Sequence, residues 1–194
     1  MAALNRLLIT HGAGSNRNAP LLVALAEAFG EHGVDVVRYD LPFRQDRSHG
    51  LPRPGDAAHD REGLRGELSK MRESKPDRLW IGGHSYGGRQ ASMLLADEPG
   101  LADALLLLSY PLHPPGKPGQ MRTAHFPKLR TPVMFVHGTR DTFGSIEELK
   151  GAIGLIPAEV KLVEIQGAGH DLGRDRSAVA EKIAAEFMKR VSVP

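Results

Sequence analysis

The sequence predicts an α/β fold in which a mainly parallel sheet is covered by helices on both faces. Short apolar runs alternate with longer segments of helical period, and several of the runs are apolar throughout. Strands that are buried on both faces have this composition. We expect about six of them, at Arg6–Thr10, Val34–Tyr39, Arg78–Ile81, Ala104–Ser109, Val133–Val136 and Val160–Ile165.

The segments between these strands carry the helical signal. Apolar residues recur at helical spacing in two of them, at Leu22, Leu25, Ala26 and Phe29 and at Leu64, Leu68 and Met71. A third stripe predicts a helix at the end of the sequence, at Val179, Ile183, Phe187 and Val191. Each apolar face is expected to pack against the sheet.

Length and composition favour one globular domain over residues 1–194. Apolar residues make up 41% and charged residues 25% of the chain, which excludes the disordered and fibrous classes. The formal net charge is only +2 and the basic residues are scattered, so we expect no nucleic-acid partner. The longest apolar run, Ala104–Leu108, is far below the roughly 20 residues that a membrane-spanning helix needs. We therefore expect no membrane partner.

The absence of cysteine narrows the chemistry further. It excludes disulfides, thiol catalysis and thiolate metal sites. The first ten residues lack the basic start and long apolar stretch of a signal peptide, so a cytoplasmic location is expected. The oligomeric state cannot be predicted from these features.

Two long stretches without helical period follow predicted strands. They are Asp40–Gly55 and Tyr110–Pro132, and both are rich in proline. Open α/β sheets bind ligands beyond the carboxyl ends of their strands. We therefore expect Asp40–Gly55 and the Tyr110–Lys128 part of the second stretch to form the walls of a substrate pocket.

The most specific motif is Gly83-His84-Ser85-Tyr86-Gly87, a G-x-S-x-G pentapeptide between a predicted strand and a predicted helix. Strand, sharp turn and helix are the setting of a nucleophile elbow, so Ser85 is the predicted nucleophile. The free N–H groups at the start of the helix favour an oxyanion, and the Tyr86 amide is the predicted first donor. A chance glycine-rich turn is the alternative, and the flanking elements count against it.

A second oxyanion donor is expected from the loop after the first strand, His11-Gly12-Ala13-Gly14-Ser15. Ala13 is the predicted donor and Gly14 the alternative. A phosphate-binding glycine loop is the competing interpretation. It requires a lysine after the second glycine, and this loop has none.

The remaining catalytic groups are expected in the order serine, acid, histidine. Asp141 follows the strand Val133–Val136, and His170 lies in the loop after the last strand. They are the predicted acid and general base. Asp171 is the alternative acid, but a side chain adjacent to the histidine seldom reaches the required alignment.

Other histidines and several arginines fall near the predicted strand ends. His11, His84, His113 and His137 could form a metal cluster, but no pair has an H-E-x-x-H spacing, and we expect no metal or other cofactor. His11, His113 and Arg89 are candidate substrate-binding residues. A small substrate is expected because nothing between Ser109 and Val133 has a helical period long enough for a lid. An anionic substrate is expected from the arginines near the site, which are Arg44, Arg47 and Arg89, with Arg122 and Arg140 as further candidates. Alternatively, the arginines are solvated or paired with Asp40, Asp46 and Asp141.

Taken together, the motifs resemble a known family. The segments Gly82–Arg89, Leu108–Gly116, His137–Asp141 and Gly167–Leu172, together with the His11–Ser15 loop, resemble a compact bacterial branch of the α/β-hydrolase superfamily. This branch is named after a testis-expressed protein and a subunit of a chromatin acetylation complex, and it is also described as dienelactone-hydrolase-like. The resemblance implies a minimal α/β-hydrolase fold without a cap domain. Dienelactone hydrolases proper use a cysteine nucleophile, which this chain lacks.

The predicted function is therefore that of a cofactor-free serine hydrolase with a Ser-His-Asp triad, formed by Ser85, His170 and Asp141. It would cleave an ester, thioester or related acyl bond of a small molecule through an acyl-enzyme intermediate. The alternative is a non-catalytic interaction protein built on the same scaffold, because a fold alone does not establish function.

Overall fold

The computed structural model describes residues 3–191, so the ends of the expected domain, residues 1–2 and 192–194, lie outside it. It contains a six-stranded sheet in which every pairing is parallel. The strands are β1 (Asn5–Thr10), β2 (Val34–Tyr39), β3 (Arg78–His84), β4 (Ala104–Leu108), β5 (Val133–Gly138) and β6 (Val160–Ile165). All six strand predictions are confirmed, with differences only at the ends.

The helices connect the strands and cover both faces of the sheet. They are α1 (Pro20–Glu31), α2 (Pro42–Asp46), α3 (Asp56–Glu73), α4 (Tyr86–Asp97), α5 (Ile146–Ile153) and α6 (Arg176–Val191). One face packs against α3, α4 and α5, and the other packs against α1 and α6. The predicted parallel sheet with helices on both faces is confirmed.

The strands are buried on both faces because alternate side chains enter different cores. Leu105 and Leu107 of β4 join the core beneath α3 and α4, whereas Leu106 and Leu108 join the core beneath α1 and α6. This explains why β4 reads as an unbroken apolar run. The sheet is thereby fixed in the middle of the molecule, and its carboxyl edge becomes a rigid support.

The strand order β2-β1-β3-β4-β5-β6 defines where a site is expected. The chain moves outwards from β1 to β2, returns to β3 on the other side of β1, and then continues outwards to β6. The direction reverses between β1 and β3, which creates a crevice at their carboxyl ends. The loops after β1 and β3 contain the two glycine-rich motifs.

Two helices were not predicted from the sequence. Helix α2 lies inside the stretch Asp40–Gly55. It has five residues and begins with a proline. Helix α5 is short, and its start is marked by a capping box between Ser145 and Glu148. Helix α5 has only eight residues, or about two turns. So short a segment does not repeat its apolar positions often enough for a helix to be predicted from their spacing.

The stretch Tyr110–Pro132 contains a single 3₁₀ turn, Phe126–Lys128, and no longer helix. Within residues 3–191, nothing forms a cap over the carboxyl edge of the sheet, as expected. Over the same range, no helix combines the length and apolar character needed to cross a membrane.

Candidate active site

The backbone of Ser85 has a conformation that L-residues rarely adopt. It lies between β3 and α4 with φ +51° and ψ −115°, and its amide donates to the Leu108 carbonyl at 2.8 Å. The turn is tight because glycines surround it. A Cβ on Gly83 would lie 2.6 Å from the Gly88 nitrogen, and one on Gly87 would collide with the His11 carbonyl. The sequence therefore folds here into the sharp turn that its G-x-S-x-G pattern predicts, with the serine at the apex.

Three predicted residues meet in one hydrogen-bonded chain. His170 Nε2 lies 2.8 Å from Ser85 Oγ, and His170 Nδ1 lies 2.8 Å from Asp141 Oδ2. The Asp141 side chain is fully buried, and its other oxygen accepts from the Phe143 amide at 2.8 Å. Serine, imidazole and carboxylate are thus arranged so that a proton can leave Ser85 while the carboxylate stabilises the imidazolium.

Two neighbours fix the position of His170. The His84 Nε2 lies 2.8 Å from the His170 carbonyl, and burial lowers the pKa of His84 to about 4. His84 is therefore neutral near pH 7 and donates through Nε2 to that carbonyl. On the other side, the Phe143 ring stacks on the His170 ring with centroids 4.1 Å apart. Phe143 was not predicted, and only its closeness to Asp141 in the sequence could have indicated it.

The alternative acid, Asp171, lies outside this chain of hydrogen bonds. Its carboxylate accepts from the Gly173 amide and from Arg176, each at 3.2 Å. The Gly173 hydrogen bond is the main cause that lowers the pKa of Asp171, and the side chain is 65% exposed. Asp171 thus stabilises the loop before α6 instead of contacting His170 through its side chain.

The predicted oxyanion donors lie beside Ser85. Ala13 and Tyr86 both line the cavity that Ser85 lines. Within residues 3–191, neither the Ala13 amide nor the Tyr86 amide donates a hydrogen bond to the protein, so both are available to an acceptor in the cavity. The alternative donor, Gly14, lines a neighbouring surface depression together with Arg44 and His49.

A buried carboxylate, Asp60, holds the side chain of Tyr86 and the backbone of Phe43 together. Asp60 of α3 accepts from the Tyr86 hydroxyl at 2.7 Å and from the Phe43 amide at 2.9 Å. Burial raises the pKa of Asp60 and is also the main cause of the raised pKa of Tyr86. Asp60 was not predicted, but it stands four residues before Leu64 on the apolar stripe of α3, and a carboxylate in such a stripe is a usable signal.

The cavity next to Ser85 has a volume of about 450 Å³ and is open to solvent. Leu51 and Pro52 contribute from the first proline-rich stretch, and Pro111 and Arg122 contribute from the second. Both stretches therefore form walls of this cavity. Arg89, on the first turns of α4, also lines it.

The two histidines predicted to bind substrate lie elsewhere. His11 is fully buried, accepts from the Leu41 amide at 3.1 Å, and thereby joins the β1 loop to the chain after β2. His113 contacts the Pro114 carbonyl at 2.8 Å and Glu148 at 3.3 Å, which joins the second stretch to α5. Neither lines the cavity beside Ser85. Both interactions depend on chain segments that are distant in sequence, so strand-end position alone could not reveal them.

The five arginines considered in the sequence divide into two groups. Arg44 is buried, Arg47 pairs with Asp56, and Arg140 is exposed, whereas Arg89 and Arg122 reach the cavity. None of the five forms an ion pair with Asp40, Asp46 or Asp141 within residues 3–191. Over that range, no group of three or more metal-ligating side chains is arranged as a metal site.

Arg44 connects the β1 loop to the first wall of the cavity. Its guanidinium donates to the Ser15 carbonyl at 2.8 Å and to the Ala13 carbonyl at 3.0 Å. On the other side it donates to the Gly50 carbonyl at 2.9 Å and to the Arg47 carbonyl at 3.2 Å. One buried cation thus satisfies four backbone carbonyls and determines where Ala13 lies.

The fold and the arrangement at Ser85 agree with the comparison with known protein families. Residues 3–192 match the family described as the alpha/beta hydrolase domain. The chain belongs to the α/β-hydrolase domain family. The turn after β3 has the strand, turn and helix setting that its G-x-S-x-G pattern predicts.

Solved structures of α/β hydrolases have the same fold. An alpha-beta serine hydrolase homologue from Coxiella burnetii superposes with a TM-score of 0.77 at 20% identity, over 96% of this chain and 88% of that one. A dienelactone hydrolase from Anabaena variabilis superposes with a TM-score of 0.76 at 22% identity, over 97% of this chain and 87% of that one. A serine hydrolase without a lid from Xanthomonas campestris superposes with a TM-score of 0.72 at 16% identity, over 99% of this chain and 85% of that one. At these identities the similarity concerns the fold.

Replacing Arg44 by methionine should destabilise the protein by about 1–3 kcal/mol, because four carbonyls lose their donor while the apolar stem is kept. Denaturant unfolding measures this loss. Amide hydrogen exchange should accelerate in residues 13–15 and 47–51. Arg17→Met is the matched control, because Arg17 is 60% exposed and its ion pair with Asp40 is long at 3.6 Å. Its cost should stay below about 0.5 kcal/mol. Equal losses in both variants would contradict the anchoring role of Arg44.

Proposed function

We propose that this protein is a serine hydrolase that cleaves an ester, thioester or related acyl bond of a small molecule through an acyl-enzyme intermediate. The observation that carries this proposal is the continuous hydrogen-bonded chain from Ser85 through His170 to Asp141, which ends at an open cavity. Membership of the α/β-hydrolase domain family and the serine hydrolases among the structural neighbours support it.

The first half of the reaction acylates Ser85. As Ser85 Oγ attacks the acyl carbon, its proton passes to His170 Nε2, 2.8 Å away. The negative charge on Asp141 stabilises the imidazolium that forms. The carbonyl oxygen becomes an oxyanion and accepts from the Ala13 and Tyr86 amides. When the tetrahedral intermediate collapses, His170 returns the proton to the leaving group, and the acyl group remains on Ser85.

The second half reverses these roles with water. His170 takes a proton from a water molecule, the resulting hydroxide attacks the acyl carbon, and Ser85 Oγ leaves as it regains the proton from His170. Asp141 does not take up the proton in either half but orients the imidazole, and its oxygens accept from His170 and from the Phe143 amide. No cofactor enters either half.

The openness of the site belongs to the same proposal. Without a cap over the described part of the sheet edge, water can reach the acyl-enzyme directly, and a small substrate can enter without a lid movement. We extend the proposal to a cytoplasmic enzyme with neither nucleic acid nor membrane as partner. The motifs at Gly82–Arg89 and Gly167–Leu172 favour the bacterial branch that is named after the testis-expressed protein and the chromatin-complex subunit.

A non-catalytic role on this scaffold is the less favoured alternative. An interaction protein has no chemical need to hold a serine, an imidazole and a buried carboxylate at hydrogen-bond distance. It also has no need to keep Ser85 in a backbone conformation that costs about 1–3 kcal/mol. Residues held in such sparsely populated conformations cluster at active sites and ligand-binding sites.

Replacing Ser85 or His170 by alanine should each reduce the turnover of p-nitrophenyl acetate by about 10⁴- to 10⁶-fold, because the two groups act as one unit. The double variant should be scarcely slower than either single variant. Ser69→Ala is the control, since Ser69 lies on α3 and bonds only to its own helix at the Arg65 carbonyl. It should hydrolyse the ester at the wild-type rate. A folded Ser85→Ala protein that is as active as wild type would refute the proposed function.

Replacing Asp141 by asparagine should lower kcat by about 10⁴-fold, because the amide no longer holds the imidazole in the required tautomer. Asp171→Asn should change kcat by less than about tenfold, since its carboxylate bonds to Gly173 and Arg176. Steady-state kinetics of both variants, with circular dichroism as a check of folding, make the comparison. Equal losses of kcat in the two variants, or a larger loss in Asp171→Asn, would contradict the assignment of Asp141 as the acid.

A further inference from the structure

Two guanidinium groups share the cavity with Ser85. Arg89 lies on α4, four residues after Ser85, and Arg122 lies in the stretch that follows β4. The two side chains come from different parts of the chain and line the same 450 Å³ space. The sequence suggested Arg89 as a substrate-binding residue, but it could not show that Arg122 reaches the same cavity.

Within residues 3–191, neither of these arginines has a carboxylate partner. Arg122 donates to the Pro111 carbonyl at 3.3 Å, and the Arg89 Nε atom is buried with no hydrogen-bond partner. This differs from Arg47 and Arg65, which pair with acidic side chains. The charges of the two guanidinium groups at the cavity wall are thus not neutralised by the protein, which favours an anionic occupant of the cavity.

The cavity wall around the two groups is positive and, among the described residues, contains no acidic side chain. Burial and the nearby Arg89 charge lower the pKa of Arg122. Burial and the same Arg89 charge lower the pKa of His125 to about 4, so His125 is neutral near pH 7. The two arginines therefore repel each other across the cavity, and an anion between them would relieve this repulsion.

The surrounding structure keeps the pair in place. The Tyr110 hydroxyl donates to the Arg122 carbonyl at 2.6 Å, and Tyr110 is itself fully buried. Arg89 belongs to the helix that starts at the nucleophile, so its backbone position relative to Ser85 is fixed. The backbone of both arginines is thus held in place, and the Arg122 guanidinium is further positioned by its hydrogen bond to the Pro111 carbonyl, which lowers the entropic cost of binding an anion.

We infer that Arg89 and Arg122 form a carboxylate-binding subsite, so that the substrate is an acyl ester or thioester that carries a second, free carboxylate. The inference rests on the proposed hydrolase function and names its substrate class. A planar guanidinium matches a carboxylate through two parallel hydrogen bonds. The volume of the cavity accommodates an acyl chain of a few carbons together with that group.

A pair of esters with equal chain length tests the subsite. The substrates are the p-nitrophenyl monoester of glutaric acid and p-nitrophenyl pentanoate, which differ in the free carboxylate. Wild type should have a kcat/KM at least tenfold higher for the glutaric monoester. Arg89→Gln and Arg122→Gln should each lower that value at least tenfold, mainly through KM, and change the value for the pentanoate less than threefold.

Two further variants serve as controls. Arg130→Gln removes an exposed arginine from the same stretch of chain as Arg122 and should leave both substrates unaffected. Arg122→Lys keeps the charge without the planar fork and should recover part of the selectivity. A wild-type preference for the pentanoate, or equal losses for both esters in the two glutamine variants, would overturn the inference.

A binding experiment separates this inference from the proposed function. Glutarate is titrated into the Ser85→Ala protein by calorimetry, with inorganic phosphate in a parallel titration. Glutarate should bind at least tenfold more tightly than phosphate, and Arg89→Gln in this background should abolish binding. Because no turnover is involved, glutarate binding supports the subsite even if hydrolysis by Ser85 fails. No glutarate binding, or tighter binding of phosphate, would overturn it.

Discussion

The close approach of β3, α4 and the β1 loop around Ser85 is the constraint on which the rest of the site depends. Gly83, Gly87 and Gly88 leave no space for a Cβ where these segments cross. The backbone of Ser85 is therefore forced into its unusual conformation, and its side chain is displayed above the carboxyl edge of the sheet. The same approach places Ala13 and Tyr86 at one cavity wall. Packing by the two cores on either side of the sheet offsets the strain.

Charge is divided between two sides of Ser85. The negative charge of Asp141 lies behind His170, fully buried, where it can stabilise an imidazolium. The positive charges of Arg89 and Arg122 face the cavity, where a substrate would lie. Neutral histidines at positions 84 and 125 hold neighbouring groups without adding charge, because burial lowers the pKa of each to about 4. Each charge is thus placed where it serves one step.

Much of the fold could be predicted because its signals are local. Strands that are buried on both faces read as apolar runs, and the tight turn at Ser85 has a local signal in the glycine pattern of its pentapeptide. A Cβ on Gly83 would meet Gly88 within the same turn, whereas one on Gly87 would meet His11 in the β1 loop. The meeting of Ser85 with Asp141 and His170 was expected from the position of each residue after a strand, whereas the order of the strands in the sheet was not predicted. The short helix α5 has a capping box at Ser145, which was the one usable signal for it.

The remaining features depend on contacts between distant segments. Whether Arg44 anchors a loop or Arg122 reaches a cavity depends on the path of a long connection, and no periodic pattern records that path. His11 and His113 occupy strand-end positions much as His170 does, yet His11 accepts from the Leu41 amide and His113 contacts the Glu148 side chain of α5. Position after a strand thus indicates the edge of the sheet on which a side chain lies, but not the direction in which it points.

In the proposed mechanism, Ser85 is the activated nucleophile of this protein. A fluorophosphonate probe followed by intact-mass and peptide mass spectrometry tests this role, because such probes react with a serine that an imidazole has activated. We expect the addition of one phosphonyl group, located on the peptide that contains Ser85, and no labelling after His170→Ala. A label on another residue, or an unlabelled protein that nevertheless hydrolyses esters, would contradict it.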